Sequence, residues 1–209
     1  MTDITDASTP DAVQAAGAST PQNHERLRMA TAWLGGCSGC HMSFLDLDEW
    51  LFDLADRADI VFGPLADIKE FPAGVDLTLV EGAVTNTDNL ELARAIRANT
   101  RVVVSFGDCA VTGNITALRN GMGAPEAMLE RVYVEHPDLA GVLPTEVVPE
   151  LLPTAQPLHE LITVDVYLPG CPPSAERIRT ALIALLDAMA AGESLPAHWR
   201  GPDDLTFGN

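Results

Sequence analysis

The thiols are the residues of this chain that most narrow its chemistry. There are four cysteines in 209 residues. Cys37 and Cys40 form a Cys-x-x-Cys pair inside the run Leu34-Gly35-Gly36-Cys37-Ser38-Gly39-Cys40. Cys109 follows Gly107-Asp108, and Cys171 sits between Pro169-Gly170 and Pro172-Pro173. Two thiolates on one loop can grip one metal centre, and flanking glycines let backbone N–H groups approach sulfur. That pattern suits an iron–sulfur cluster, whose potential depends on such hydrogen bonds and on burial. Other chemistries use the same residue types. A structural zinc site takes four thiolates, usually as two close pairs, whereas here there is a pair and two singles. A thiol–disulfide centre needs only Cys37 and Cys40, and leaves the two other cysteines without a role. Cys109 and Cys171 read simply as small buried hydrophobes would not need their glycine-flanked settings. Gly35 and Gly36 could cradle a phosphate, but no G-x-x-x-x-G-K-S/T and no complete G-x-G-x-x-G is present.

Glu81 is the next candidate. It closes the apolar run Leu77-Thr78-Leu79-Val80, where a carboxylate is costly unless it is satisfied. It accepts amide hydrogen bonds beside a cluster, relays a proton, or is simply a solvated loop carboxylate. His41 follows Cys40 directly and reads as a surface or helix-start residue. Trp33, Trp50 and Phe44 read as core or interface, and Asp108 as a turn-former. No serine–histidine–acid set and no paired carboxylates stand out.

The elements that must position these residues are legible as strands alternating with helices. Arg28–Leu34 predicts a first buried strand. Ser43 is a candidate N-cap for a helix whose apolar stripe is Phe44, Leu45, Leu47, Leu51, Leu54 and Ala55. Short strands follow at 60–62 and 77–80, a helix at 87–99, a strand at 101–106 and a helix at 124–133. A connection rich in proline (Pro137, Pro144, Pro149, Pro153, Pro157) is too long for a simple turn and should wrap a surface. A fifth strand at 164–168 and a helix at 174–191 complete the pattern. Such alternation implies βαβ crossovers and a parallel sheet with helices on both faces. Ligands of such sheets bind beyond the carboxyl ends of the strands. Cys37, Cys40, Glu81, Cys109 and Cys171 all fall there, so the α/β reading brings them to one edge.

Composition agrees with one domain. Hydrophobic residues make up 47% of the chain, enough for a packed core. The expected organisation is a flexible N-terminal tail over 1–25, with a docking arm as the alternative role, a cluster-binding domain over 26–195 and a C-terminal tail over 196–209. The net charge of −18 excludes nucleic acid, whose phosphates need clustered Lys and Arg, and an anionic membrane surface. No apolar run approaches the ~20 residues of a membrane span. Residues 1–23 contain no Lys or Arg, so no secretory signal is expected there. The cytoplasm is the default, and cytoplasmic cysteines favour metal over disulfides.

The motifs also carry a resemblance. Leu34-Gly35-Gly36-Cys37-Ser38-Gly39-Cys40 with Ser43-Phe44, then Val80-Glu81-Gly82-Ala83-Val84, Gly107-Asp108-Cys109-Ala110 and Pro169-Gly170-Cys171-Pro172-Pro173 together resemble the small subunit of nickel–iron hydrogenases. The run Gly39-Cys40-His41-Met42-Ser43-Phe44-Leu45-Asp46-Leu47-Asp48-Glu49 is most like the small subunit of the soluble, bidirectional NAD-reducing type. The resemblance implies a flavodoxin-like, doubly wound domain holding one proximal 4Fe-4S cluster through Cys37, Cys40, Cys109 and Cys171, with Glu81 beside it. It places the NiFe centre on a large subunit. Electrons would reach NAD through flavin- and iron–sulfur-containing diaphorase subunits, all in the cytoplasm. Respiratory relatives carry a twin-arginine leader and a cysteine-rich extension for further clusters; neither is recognisable here, so one cluster is expected. FMN on this subunit is not part of the expectation, because the cysteine loop takes the place of a flavodoxin's phosphate loop. Cytosolic hydrogenases of the sulfhydrogenase or F420-linked kind share the pattern, since other subunits choose their acceptor. The cluster subunit of respiratory complex I is a cousin with adjacent cysteines in the first motif, unlike Cys37 and Cys40.

Overall fold

The computed structural model describes residues 26–135 and 141–193. The tails expected over 1–25 and 196–209, and Pro137, lie outside the described residues. The strands are β1 (Leu27–Trp33), β2 (Ala58–Phe62), β3 (Val75–Glu81), β4 (Val84–Asn86), β5 (Thr100–Phe106), β6 (Leu151–Gln156) and β7 (Val166–Leu168). The helices are α1 (Gly39–Leu45), α2 (Trp50–Arg57), α3 (Thr87–Asn99), α4 (Asp108–Thr112), α5 (Asn114–Ala117), α6 (Pro125–Leu129) and α7 (Ala175–Ala190). Five strands form one parallel sheet in the order β2-β1-β3-β5-β7. Counting only these strands, the order is 2-1-3-4-5, that of the flavodoxin-like doubly wound fold. The expected fold class is therefore the one observed.

Alternation along the strands divides the core between two faces. Leu77 and Leu79 of β3 and Val102, Val104 and Phe106 of β5 share one cluster with Phe44, Leu54 and the inner face of α7. Val80 and Val103 point the other way, into a cluster with Ala93 and Ile96 of α3 and with Leu158. The helices begin where their caps allow. Asn86 accepts the Asn89 N–H at 2.8 Å ahead of α3, and Ser174 accepts the Arg177 N–H at 3.3 Å ahead of α7, each satisfying an otherwise orphaned donor. Ile178, Ala181, Leu182, Leu185, Leu186 and Met189 are the buried stripe of α7, recurring at the spacing of a one-sided helix.

Three expectations need correction. The helix expected to start at Ser43 is two helices, α1 and α2, and Ser43 is a buried interior residue of α1, not a cap. The break falls at Asp48, which takes φ 49°, a conformation that aspartate tolerates better than most residues. Apolar periodicity misses the break because Phe44 and Leu47 before it and Trp50 and Leu54 after it join one buried cluster. The proline-rich connection is not featureless: β6 lies in it and pairs antiparallel with β4. Pro153 inside β6 masks the strand signal, although a two-stranded edge pair tolerates a missing donor. Beyond α6, residues Glu130–Val134 form a π-helical turn.

Leu182 is almost fully buried between α7 and the sheet. Leu182→Ala should lower the unfolding free energy by about 2–5 kcal/mol, the range for emptying such a site, with the fall measured by urea denaturation. A change within noise would mean that α7 does not seal this face.

Candidate metal centre

The site lies where the chain reverses its winding, at the carboxyl ends of β1 and β3 and of their neighbours β5 and β7. After β1 the cysteine loop does not run free. The Leu34 N–H donates to the Glu81 carbonyl at 2.8 Å, and Gly35 and Ala83 exchange backbone bonds at 2.8 Å each way. Gly82 takes φ 95°, and a Cβ there would lie 2.9 Å from the Gly35 carbonyl oxygen. The loops after β1 and β3 thus touch backbone to backbone.

The loops after β5 and β7 are joined in the same way. The Gly107 N–H donates to the Leu168 carbonyl at 2.8 Å, and the Asp108 N–H to the Gly170 carbonyl at 2.9 Å. The Asp108 carboxylate accepts the Gly170 N–H at 2.7 Å, which is the turn-forming role expected of it. Two contacts then lock the halves together. Gly107 has φ 82°, and a Cβ on it would overlap the Cys40 sulfur. The Ser43 hydroxyl donates to the Pro173 carbonyl at 2.6 Å. Residues far apart in sequence therefore meet because four neighbouring loops are bonded in pairs.

All four thiols face this junction and none is in a disulfide; Cys40 and Cys109 are buried, while Cys37 and Cys171 are exposed. Burial pushes the Cys40 thiol up, and so do Glu81 and the charges of Cys109, Cys37 and Cys171. Burial likewise raises Cys109, as do Cys37 and Cys171, while N–H donors from Asn114 and Ile115 pull it partly back. Four sulfurs that repel one another as thiolates make a site suited to a cationic metal core. Among the described residues no three His, Cys, Asp or Glu side chains form a site for a single metal ion.

Glu81 and His41 depart from their simplest readings. Glu81 is 3% exposed and His41 is 7% exposed; neither is a surface residue. The Glu81 carboxylate accepts the Cys40 N–H at 3.4 Å and the His41 N–H at 3.0 Å, and the His41 Nδ1–H donates to it as well. The imidazole packs edge-on against Trp33 at 5.2 Å and Phe106 at 6.0 Å. The acid needs donors because it is buried, and the first turn of α1 supplies them. The one sequence signal for His41 is its adjacency to Cys40. It is a weak one, because a polar residue beside a loop is usually wet.

Asn114 is a site residue that sequence reasoning does not find. Its Nδ2 lies 3.2 Å from the Cys171 sulfur and 3.9 Å from that of Cys109. Nothing in its spacing points to this beyond its place just after Gly113 at the end of α4.

The sequence model of the NADH ubiquinone oxidoreductase 20 Kd subunit family matches residues 37–185, a span from the first cysteine into α7. The chain belongs to this family. Hydrogenase subunits match it over most of its length. The NAD-reducing hydrogenase HoxS subunit delta of Cupriavidus necator is 33% identical over 80% of this chain and 80% of its own length. A subunit of the F420-non-reducing hydrogenase of Methanothermobacter thermautotrophicus is 40% identical over 78% of this chain and 54% of its own. The chain thus spans about half the length of that curated relative. A crystal structure of an NAD+-reducing nickel–iron hydrogenase in the H2-reduced state contains a chain that is 40% identical, with a TM-score of 0.75, covering 82% of this chain and 95% of that one. This family member is thus a small subunit of the nickel–iron hydrogenase type. The family takes its name from the respiratory cousin, and the expected resemblance to hydrogenase small subunits holds.

In the folded, reduced, metal-free chain, iodoacetamide should modify Cys37 and Cys171 first and Cys40 last. Exposure favours the first pair, and the raised pKa leaves Cys40 little reactive thiolate. Peptide mass mapping against a denatured control checks the order. Equal rates in the folded chain would contradict this burial pattern.

Proposed function

We propose that this chain is the electron-transferring small subunit of a cytoplasmic, NAD-reducing nickel–iron hydrogenase, with Cys37, Cys40, Cys109 and Cys171 holding one 4Fe-4S cluster. The reaction of the assembly is H2 + NAD+ → H+ + NADH. The carrying observation is the convergence of four free thiols on one sheet edge through paired loops. The donor set fits the group: four sulfurs, N–H donors beside them, and a glycine at 107 where any side chain would displace Cys40. A bound cluster supplies one-electron transfer at a potential tuned by its surroundings.

The chain's own residues hold and orient that group. The Glu81 carboxylate draws in the Cys40 and His41 amides and so sets the pitch of the loop that carries Cys40. Its burial beside the thiols also suits it to hold or pass a proton between this face and a partner. Beside the thiols, Met42 and Ile115 are exposed, and Leu118 and Met122 further along the chain from Ile115 are exposed as well. Such an apolar border suits a lasting subunit contact that excludes water, and the NiFe large subunit is the partner this reading requires. The diaphorase subunits, with their flavin and NAD site, are the onward partners.

A second reading is supported by the 40% identity to a subunit of an F420-non-reducing hydrogenase. There the same cluster would serve a different acceptor chosen by other subunits. Reduction of NAD+ by H2 in the anaerobically purified complex decides between them.

Two outcomes test the site. Wild-type complex should carry about four irons per cluster-bearing chain, with an EPR signal on reduction, while Cys109→Ser loses or converts the cluster and stops H2-dependent NAD+ reduction. A Cys109→Ser complex with wild-type iron and activity would remove Cys109 from the ligand set. Glu81→Gln should keep its iron and turn over about a hundredfold more slowly, the size of a lost acid–base step. Loss of iron in that variant would leave Glu81 with the loop-holding role alone.

A further inference from the structure

We propose that the Asn114 carboxamide sets the reduction potential of the cluster by donating to two of its ligand sulfurs, those of Cys171 and Cys109. The inference rests on the four-cysteine cluster reading above and deepens it. Nδ2 is 3.2 Å from the Cys171 sulfur and 3.9 Å from the Cys109 sulfur. A carboxamide nitrogen has two hydrogens to give and does not accept. One side chain can therefore address two sulfurs that come from different strand ends. Turned the other way, Oδ1 would set its lone pairs against two thiolates.

The backbone is built to hold the amide there. Gly113 closes α4 at φ 82°, its N–H donating to the Cys109 carbonyl at 3.0 Å. Asn114 follows at φ 35°, in the left-handed region that asparagine tolerates better than most residues. Its own N–H donates to the Thr112 hydroxyl at 3.3 Å. The next residue, Ile115, gives its backbone N–H to Cys109. The turn Gly113-Asn114-Ile115 thus faces the β5/β7 half of the cage with donors only.

Electrostatics gives the direction of the effect. One-electron reduction adds one negative charge to the cluster and its sulfurs. Donors at sulfur stabilise that charge more than they stabilise the oxidised form, so they raise the potential. A carboxamide does so without a proton to lose, so its effect is constant with pH. Glu81 acts oppositely on the other half, where its carboxylate raises Cys40.

The test uses the purified complex with wild-type chain, Asn114→Gly and Asn114→Asp. Glycine accepts φ 35° and removes the amide; aspartate keeps its shape but replaces the donors with a carboxylate. Iron content should be unchanged in both. At a fixed poise near the wild-type midpoint, the reduced-to-oxidised ratio in EPR titration should fall about tenfold in Asn114→Gly, equivalent to about 59 mV for one electron, and further in Asn114→Asp. In resonance Raman, exchange into D2O should shift the iron–cysteine stretches of the wild type by more than those of Asn114→Gly. Full iron with an unmoved midpoint overturns the proposal. Loss of iron in both variants also overturns it, making Asn114 a residue that merely positions the ligands. A wild-type complex without iron instead overturns the cluster reading beneath it.

Discussion

A carboxylate removed from water must collect donors, and much of this site follows from how Glu81 does so. It ends a strand in which every other residue except Asp76 is buried. The nearest donors belong to the first turn of α1, so the cysteine loop is drawn across the end of β3 and held there. The Leu34–Glu81 and Gly35–Ala83 backbone bonds then fix the loop's register. If Glu81 were apolar, the first turn of α1 would lose three acceptor contacts together. An unmet buried donor costs about 1–3 kcal/mol, so the loop would be driven toward solvent and Cys40 with it. The orientation of one thiol is thereby tied to the end of another strand.

The β5/β7 half uses the same logic with a different acid. Asp108 is not buried as Glu81 is, yet its carboxylate takes the Gly170 N–H and so couples the loop of Cys109 to that of Cys171. Each half is thus a strand end, an acid and a neighbouring loop's amide. Beyond the β3–β5 pairing, the loops of the two halves meet at Gly107 against the Cys40 sulfur and at the Ser43 hydroxyl, which donates to the Pro173 carbonyl. The glycine at 107 is required by that crowding, and the serine at 43 supplies the donor.

Much of this is legible in the sequence because it depends on period and topology. Alternating strands and helices imply a parallel sheet, and the carboxyl-end rule then gathers Cys37, Cys40, Glu81, Cys109 and Cys171. Contacts that depend on local backbone are not legible. Asp48 at φ 49° splits one amphipathic run into two helices without disturbing its apolar phase. Pro153 hides β6, since a proline in a run argues against a strand. His41 and Asn114 need three-dimensional neighbours to acquire meaning. His41 reads as wet until Glu81 is placed beside it, and Asn114 carries no signal until Cys171 arrives from the far end of the chain.

The asymmetry between the halves has a consequence for electron flow. Glu81 places negative charge beside Cys40, while Asn114 and Ile115 present N–H donors to Cys171 and Cys109. An added electron on a cluster held here is therefore stabilised more toward the β5/β7 half than toward the β1/β3 half. Exposure does not divide the halves in the same way, since Cys171 on one and Cys37 on the other are both open to solvent. Cys40, on the other half, is sealed by Phe44 and the core cluster. The charge asymmetry of the cage is thus set by one buried carboxylate and one carboxamide, while each half keeps one thiol buried and one open to solvent.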